Sequence, residues 1–215
     1  MNKKLVAGAA VLLLAAGAFA IPRAITYFDE PDVQLVDLAV GGAAPDFTLA
    51  DATGRQVSLA QFRGKPVVLE WNNPGCPFVK KQYGSGAMQR AHAAAARDGV
   101  VWLSVNSSAP GKQGHMDAEE AREFIAESGA RPAAYLLDPQ GAVGRTYGAR
   151  TTPHMFVVDP SGKLAYAGAI DSSGGSDNPA APVRNHVLAA LAEVRAGKAV
   201  SVPTSRPFGC SVKYG

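Results

Sequence analysis

Val67-Val68-Leu69-Glu70-Trp71-Asn72-Asn73-Pro74-Gly75-Cys76-Pro77-Phe78-Val79-Lys80-Lys81 is the stretch whose reading decides the fold. Its first five residues are a mostly apolar run, the type that fills a central strand buried on both faces. Pro74-Gly75 is a turn signal, and a helix begins just past it, so Cys76 stands where strand gives way to helix. A thiol at the first turn of a helix faces unpaired backbone N–H groups and the positive end of the helix dipole, which favour thiolate over thiol. Cys76 is therefore the leading candidate for chemistry. Three residues further on, where a local dithiol would have its second cysteine, the chain has Val79.

Working outward, Phe47-Thr48-Leu49 and Gln56-Val57-Ser58-Leu59 are short β-type runs separated by the turn signal Asp51-Ala52-Thr53-Gly54, which predicts a hairpin ahead of the central strand. Residues 77–97 contain no internal proline, but Gly84 and Gly86 mark a kink or break in that helical stretch. Val100-Val101-Trp102-Leu103-Ser104-Val105 is the next strand, and Asp117 with Glu120 forms an N-cap signature for a helix that stops at Gly129. Tyr135-Leu136-Leu137 and Met155-Phe156-Val157-Val158 read as further strands, with a short helix near 143–147 between them. The turn Asp159-Pro160-Ser161-Gly162 leads to a partner strand over 164–170. Val183, Val187, Leu188, Leu191 and Val194 form the apolar stripe of a closing helix. The order predicts an α/β fold: a three-layer sandwich with a mixed central β-sheet, helices on both faces and an N-terminal β-hairpin extension.

The chain has 215 residues, 47% of them hydrophobic, which suits one globular domain with extensions. Its formal charge of +3 includes Lys3 and Lys4, and no Lys/Arg run tracks a phosphate backbone, so nucleic acid is not an expected partner. After the Lys pair, an apolar stretch runs from Leu5 to Ala20 and ends in Ala18-Phe19-Ala20, the layout of a secretory signal; its length and Pro22 make an uncleaved membrane anchor the alternative. Residues 1–20 are read as signal peptide or anchor, 21–44 as linker, 45–198 as the domain and 199–215 as a C-terminal tail. On either N-terminal reading the domain is exported, to the periplasm or another extracytoplasmic space. Only two cysteines are present, Cys76 and Cys210, and in an oxidising compartment an even count invites pairing. A structural staple closing a loop of roughly 135 residues would contribute about 5 kcal/mol, and a cycling redox pair is the rival reading.

These elements, with Cys76 at the strand-to-helix junction and Thr151-Thr152-Pro153 before a hairpin strand, resemble the thioredoxin superfamily. Within it the likeness is to the peroxiredoxin-like redoxins related to alkyl hydroperoxide reductase and thiol-specific antioxidant. It is carried by Ala44-Pro45-Asp46-Phe47, by Cys76-Pro77-Phe78-Val79-Lys80-Lys81, and by Thr152-Pro153-His154-Met155-Phe156-Val157-Val158-Asp159 with Tyr166-Ala167-Gly168-Ala169-Ile170-Asp171. The resemblance implies a thiol oxidoreductase that acts on a peroxide or a protein disulfide and is restored by an external thiol reductant, with no cofactor. It also implies that Pro153 is a cis-proline facing the sulfur, with Thr152 offering its N–H and C=O to an extended substrate. Glu70 matches the buried acid of thioredoxin, where a raised pKa would allow a proton shuttle; strand alternation could instead turn it to solvent.

Departures from the family pattern narrow the chemistry. Peroxiredoxins have a proline and a threonine or serine ahead of the peroxidatic cysteine; Leu69 and Asn73 occupy those positions here. Asn73 is a candidate peroxide contact, although an amide does not copy a hydroxyl's donor and acceptor at one atom. With Val79 in place of a local resolving thiol, Cys210 is the candidate resolving residue, in a flexible tail reading Pro207-Phe208-Gly209-Cys210-Ser211-Val212-Lys213-Tyr214. His154 is a further candidate contact to sulfur or substrate, and Lys80 and Lys81 either raise the local positive potential or form a solvated helix face. Two other classes stay open: a non-catalytic binding module with locked cysteines, and a copper-handling protein, although no close Cys-x-x-x-Cys pair supports a metal site.

Overall fold

In a computed structural model, residues 38–215 are described. The signal, the anchor alternative and most of the linker fall on residues 1–37, outside the described part. No described helix is long and apolar enough to cross a membrane.

The strand predicted at Val67–Trp71 is β3, and all five of its residues are buried. It follows the hairpin β1 (Thr48–Asp51) and β2 (Gln56–Ser58) and a 3-10 turn at Leu59–Phe62. After it come α1 (Pro77–Gly84), α2 (Ala87–Arg97), β4 (Val101–Asn106), α3 (Ala118–Ser128), β5 (Ala134–Leu137) and α4 (Ala142–Thr146). The chain closes with β6 (Thr151–Thr152), β7 (His154–Val158), β8 (Leu164–Gly168), α5 (His186–Arg195) and β9 (Cys210–Ser211). Seven strands form one mixed sheet in the order β2-β1-β5-β4-β3-β7-β8, with β3 parallel to β4 and antiparallel to β7.

The two-residue period of the strands sorts their side chains into two layers. Val68, Trp102, Met155 and Val157 face a core built with Met88 of α2 and Val187 and Leu191 of α5. Leu69, Trp71, Leu103, Val105, Phe156 and Val158 face the opposite core with Phe47, Tyr147 and Val212. Cys76 belongs to the first layer, together with Val79 and Tyr83 of α1.

Local chemistry sets the helix limits. Asp117 caps α3 by accepting from the Glu119 and Glu120 N–H groups, while the Glu120 carboxylate accepts from the Asp117 N–H, a complete capping box. The break foreseen at Gly84 and Gly86 falls between α1 and α2, where Gly86 takes φ +73°. The closing helix begins later than its apolar stripe suggests: the Asn185 side chain accepts from the Leu188 N–H at 2.8 Å, and Val183 lies outside, 49% exposed.

Both ends of the described chain are tied into the domain. Gly41 N–H donates to the Leu164 carbonyl at 2.7 Å and Leu164 N–H to the Gly42 carbonyl at 2.9 Å. The C-terminal segment is not the flexible tail expected. Its strand β9 pairs with β6, Val212 N–H donates to the Arg150 carbonyl at 3.0 Å, and Tyr214 OH donates to the Ala149 carbonyl at 2.8 Å under the Arg145 guanidinium. Short runs such as Cys210-Ser211 carry no periodic signal, and backbone pairing with a distant segment orders them.

Replacing Asp117 by Ala removes the cap of α3 and should cost about 1 kcal/mol of stability, read as a lower urea midpoint. Thiol chemistry should be unchanged, because, among the described residues, the Asp117 side chain bonds only within the first turn of α3.

Candidate active site

Cys76 is the N-cap residue of α1, with extended backbone at φ −78° and ψ 125°, and Pro77 occupies the first turn, where a missing N–H costs nothing. The residue is fully buried. Its thiol donates to the Thr152 backbone carbonyl at 3.0 Å. The Thr152–Pro153 peptide is cis, as the resemblance implied. In the β6–β9 pair, Thr152 is the register partner of Cys210, so one residue holds the Cys76 thiol through its carbonyl and stands beside Cys210 through strand pairing. Both cysteines are free thiols.

The two sulfurs interact, and the interaction separates their acidities. Burial raises the Cys76 thiol, but the Cys210 side chain, the Val79 N–H of the first helical turn and the Thr152 side chain all favour its ionised form and more than offset burial, leaving Cys76 below the ordinary thiol range. Burial and the neighbouring Cys76 push Cys210 up to about 11. Cys210 is nevertheless the half-buried member of the pair, and Cys76 is the covered one.

The glycine that suggested a flexible tail instead helps to seat Cys210. Gly209 has φ +137°, and a Cβ there would collide with the Thr152 carbonyl, so only glycine lets the tail approach this closely. The Phe208 ring packs 6.1 Å from that of Phe78, on α1. A glycine directly before a cysteine in the tail was the available signal.

Glu70 is fully buried on the Cys76 side of β3, which excludes the solvent-facing alternative. Five groups donate to its carboxylate: Asn72 Nδ2 at 2.8 Å and Tyr83 OH at 2.9 Å to Oε1, and Trp102 Nε1 at 2.9 Å, Ser104 OH at 3.0 Å and His92 Nε2 at 3.3 Å to Oε2. The Arg131 N–H donates to His92 Nδ1, which places the imidazole hydrogen on Nε2, facing Glu70. The expectation of a raised carboxyl is corrected. Burial does raise it, but these hydrogen bonds, that of His92 foremost, outweigh burial and hold Glu70 below the usual carboxylate range.

Two further expectations are corrected. Asn73 is buried and its amide is spent on the loop: Oδ1 accepts from the Gly75 N–H at 2.8 Å, and Nδ2 donates to the Gln113 carbonyl and side-chain oxygens, both at 3.1 Å. No free donor remains for a substrate. His154, one residue past Pro153, points by strand alternation into the opposite layer, its ring 4.4 Å from that of Phe156. Burial, reinforced by Arg150, holds it at about 4, so it is a neutral packed imidazole and not a contact to sulfur. Lys81 turns away to Asp177, at 2.6 Å, and Lys80 is exposed, which is the solvated-face reading of both. Among the described residues, no group of three His, Cys, Asp or Glu side chains gathers around a common metal position.

A mixed sheet presenting a buried thiol at a helix N-terminus against a cis-proline loop defines the class of thioredoxin-fold thiol oxidoreductases. Comparison with known proteins gives the same answer: residues 40–167, more than half the chain, match the AhpC/TSA family, and the chain belongs to it. It is 28% identical over 163 residues to the thiol-disulfide oxidoreductase ResA of Geobacillus thermodenitrificans, covering 76% of this chain and 86% of that protein. A 40-residue segment is 52% identical to peroxiredoxin Q, chloroplastic, of Oryza sativa subsp. japonica, covering 17% of this chain and 18% of that one. The crystal structure of an uncharacterized conserved protein from Geobacillus kaustophilus superposes with a TM-score of 0.74 at 27% identity, over 83% of this chain and 93% of that one. That of a hypothetical protein from Sinorhizobium meliloti 1021 gives 0.71 at 26%, over 84% and 97%. The family match ends before Cys210.

Substituting Gly209 by Ala should unseat the tail and raise the rate of iodoacetamide labelling at Cys76, followed by mass spectrometry. His154 predicts an acid limit. Its folded pKa is depressed from 6.5 to about 4, so the unfolded chain takes up a proton first as pH falls, and up to about 3 kcal/mol of stability is lost between those values. In His154→Phe, urea midpoints measured from pH 7 to 4 should fall less steeply.

Proposed function

We propose that the protein is an exported thiol-disulfide oxidoreductase in which Cys76 is the nucleophile and Cys210 the resolving thiol. The observation that carries this reading is the register of β6 with β9, which sets Cys210 beside the residue whose carbonyl holds the Cys76 sulfur. A structural staple needs only proximity, but the opposed acidities of the two thiols suit a pair that cycles. Export rests on the sequence of residues 1–20, whether as a cleaved signal or as a membrane anchor.

In the forward half-cycle, the Cys76 thiolate attacks one sulfur of a substrate disulfide and releases the other as a thiolate. Cys210, deprotonated, then attacks the Cys76 sulfur, the second substrate thiolate departs, and Cys76–Cys210 is left as an intramolecular disulfide. In the return half-cycle an external thiolate attacks the more exposed Cys210 sulfur and expels Cys76, whose lower pKa makes it the better leaving group; a second reductant thiol then frees Cys210. Glu70 serves as a buried acceptor that orients Tyr83, Trp102 and Asn72 beneath α1. Thr152 and Pro153 form the ledge beside the sulfur.

Complete coverage of Cys76 favours a second reading, in which a small peroxide is the oxidant. Cys76 would take one peroxide oxygen to become a sulfenic acid, the other leaving as water or alcohol. Attack by Cys210 would then expel water and give the same disulfide.

Turnover with a model disulfide and with hydrogen peroxide, each coupled to dithiothreitol, tests both readings. Cys76→Ser should abolish activity, and Cys210→Ser should accumulate a mixed disulfide or a sulfenic acid, distinguished by mass. Equal activity in wild type and Cys76→Ser would overturn the assignment.

A further inference from the structure

Thr152 is 2% exposed, and its hydroxyl oxygen is buried without a hydrogen-bond partner among the described residues. A buried hydroxyl left unpaired is destabilising, and valine would fill the same volume without that cost. The orphan sits on the residue whose carbonyl accepts the Cys76 thiol at 3.0 Å, and its side chain is one of the groups that favour the ionised sulfur.

The thiol–carbonyl bond exists only while Cys76 is protonated. On ionisation the sulfur has no hydrogen to give, and the carbonyl oxygen facing it at 3.0 Å becomes repulsive. A thiolate there needs donors. The Val79 N–H at the start of α1 is one, and the neutral Cys210 thiol across β9 is another. The other charged groups of α1 and β3 are engaged elsewhere or solvated: Lys81 pairs with Asp177, Lys80 is exposed, and Glu70 is held by its five donors.

We propose that the Thr152 hydroxyl is the donor held for the ionised form of Cys76, turning onto the sulfur when the thiol loses its proton. One residue thus serves both protonation states, its carbonyl binding the thiol and its hydroxyl the thiolate. In the peroxiredoxin pattern a hydroxyl precedes the cysteine in the chain; here, where Asn73 fills that place, the hydroxyl comes from the facing loop.

The inference rests on Cys76 being the nucleophile, and its test is separable from that reading. Thiolate absorbance at 240 nm is followed against pH in the reduced full chain carrying Thr152→Val or Thr152→Ser, with Cys76→Ser identifying the Cys76 step. Thr152→Val should raise the Cys76 midpoint by about one unit, roughly a tenfold loss of thiolate at a fixed pH below it, with a parallel loss of turnover. Thr152→Ser should titrate as wild type. Thr152→Val should also melt no lower than wild type, because it removes an unpaired buried hydroxyl, whereas a purely structural threonine would lower the melting temperature and leave the titration unmoved. A wild-type midpoint in Thr152→Val, or equal shifts in the Val and Ser variants, would overturn the inference. Should Thr152→Val fail to fold, Thr152→Ala is read by the same titration. Retained turnover in Cys76→Ser would instead remove the catalytic reading and leave the titration result standing.

Discussion

The site hangs on a two-residue pairing of strands at the end of the chain. Thr152 meets Cys210 across β6 and β9, and its carbonyl meets the Cys76 thiol. Without that pairing, Cys76 is a solitary sulfur at a helix start, with Val79 where a local partner would be. With it, two cysteines far apart in sequence share one microenvironment. The pairing depends in turn on Gly209, where no side chain fits against the Thr152 carbonyl, and on the tail's anchorage at Val212 and Tyr214.

Proximity makes the thiols unequal. The groups around Cys76 outweigh its burial, whereas Cys210 loses acidity through burial and because ionising it would place a second negative sulfur beside the first. The proposed cycle draws on this asymmetry. In that cycle Cys76, the more acidic thiol, is the better leaving group, and Cys210 is the less buried residue of the two. Beneath them, Glu70 is an acid whose pKa burial raises, held below the usual carboxylate range by five converging donors from β4, α1, α2 and Asn72 just past β3. Such a network orders the layer under α1, because every member has a partner to lose.

Much of this was legible in the chain. The Pro-Gly turn, the Asp117-x-x-Glu120 box and the hairpin turn at Asp159-Pro160-Ser161-Gly162 each rest on contacts within a few residues, the strand Val67–Trp71 shows in its mostly apolar character, and each formed where expected. Expectations that depended on which way a side chain points fared worse. His154 lies next to the cis-proline in sequence and across the sheet from the sulfur in space, because alternation in β7 sends neighbours to opposite layers. Asn73 occupies a motif position yet turns its amide into the loop, since Gln113 and the Gly75 N–H satisfy it there.

What the sequence determined by itself was the fold and the leading candidate for the reacting sulfur: hydrophobic period, turn chemistry and the placing of a cysteine at a helix start are local properties. Only the tertiary structure decided that Cys210 stands beside Cys76, that five donors meet the Glu70 carboxylate and that Thr152 holds an unpaired hydroxyl at the site. Those facts depend on donors and backbone brought together from segments distant in the chain. A residue's letter carries no record of such partners, and in a buried site the partners set both charge state and reach.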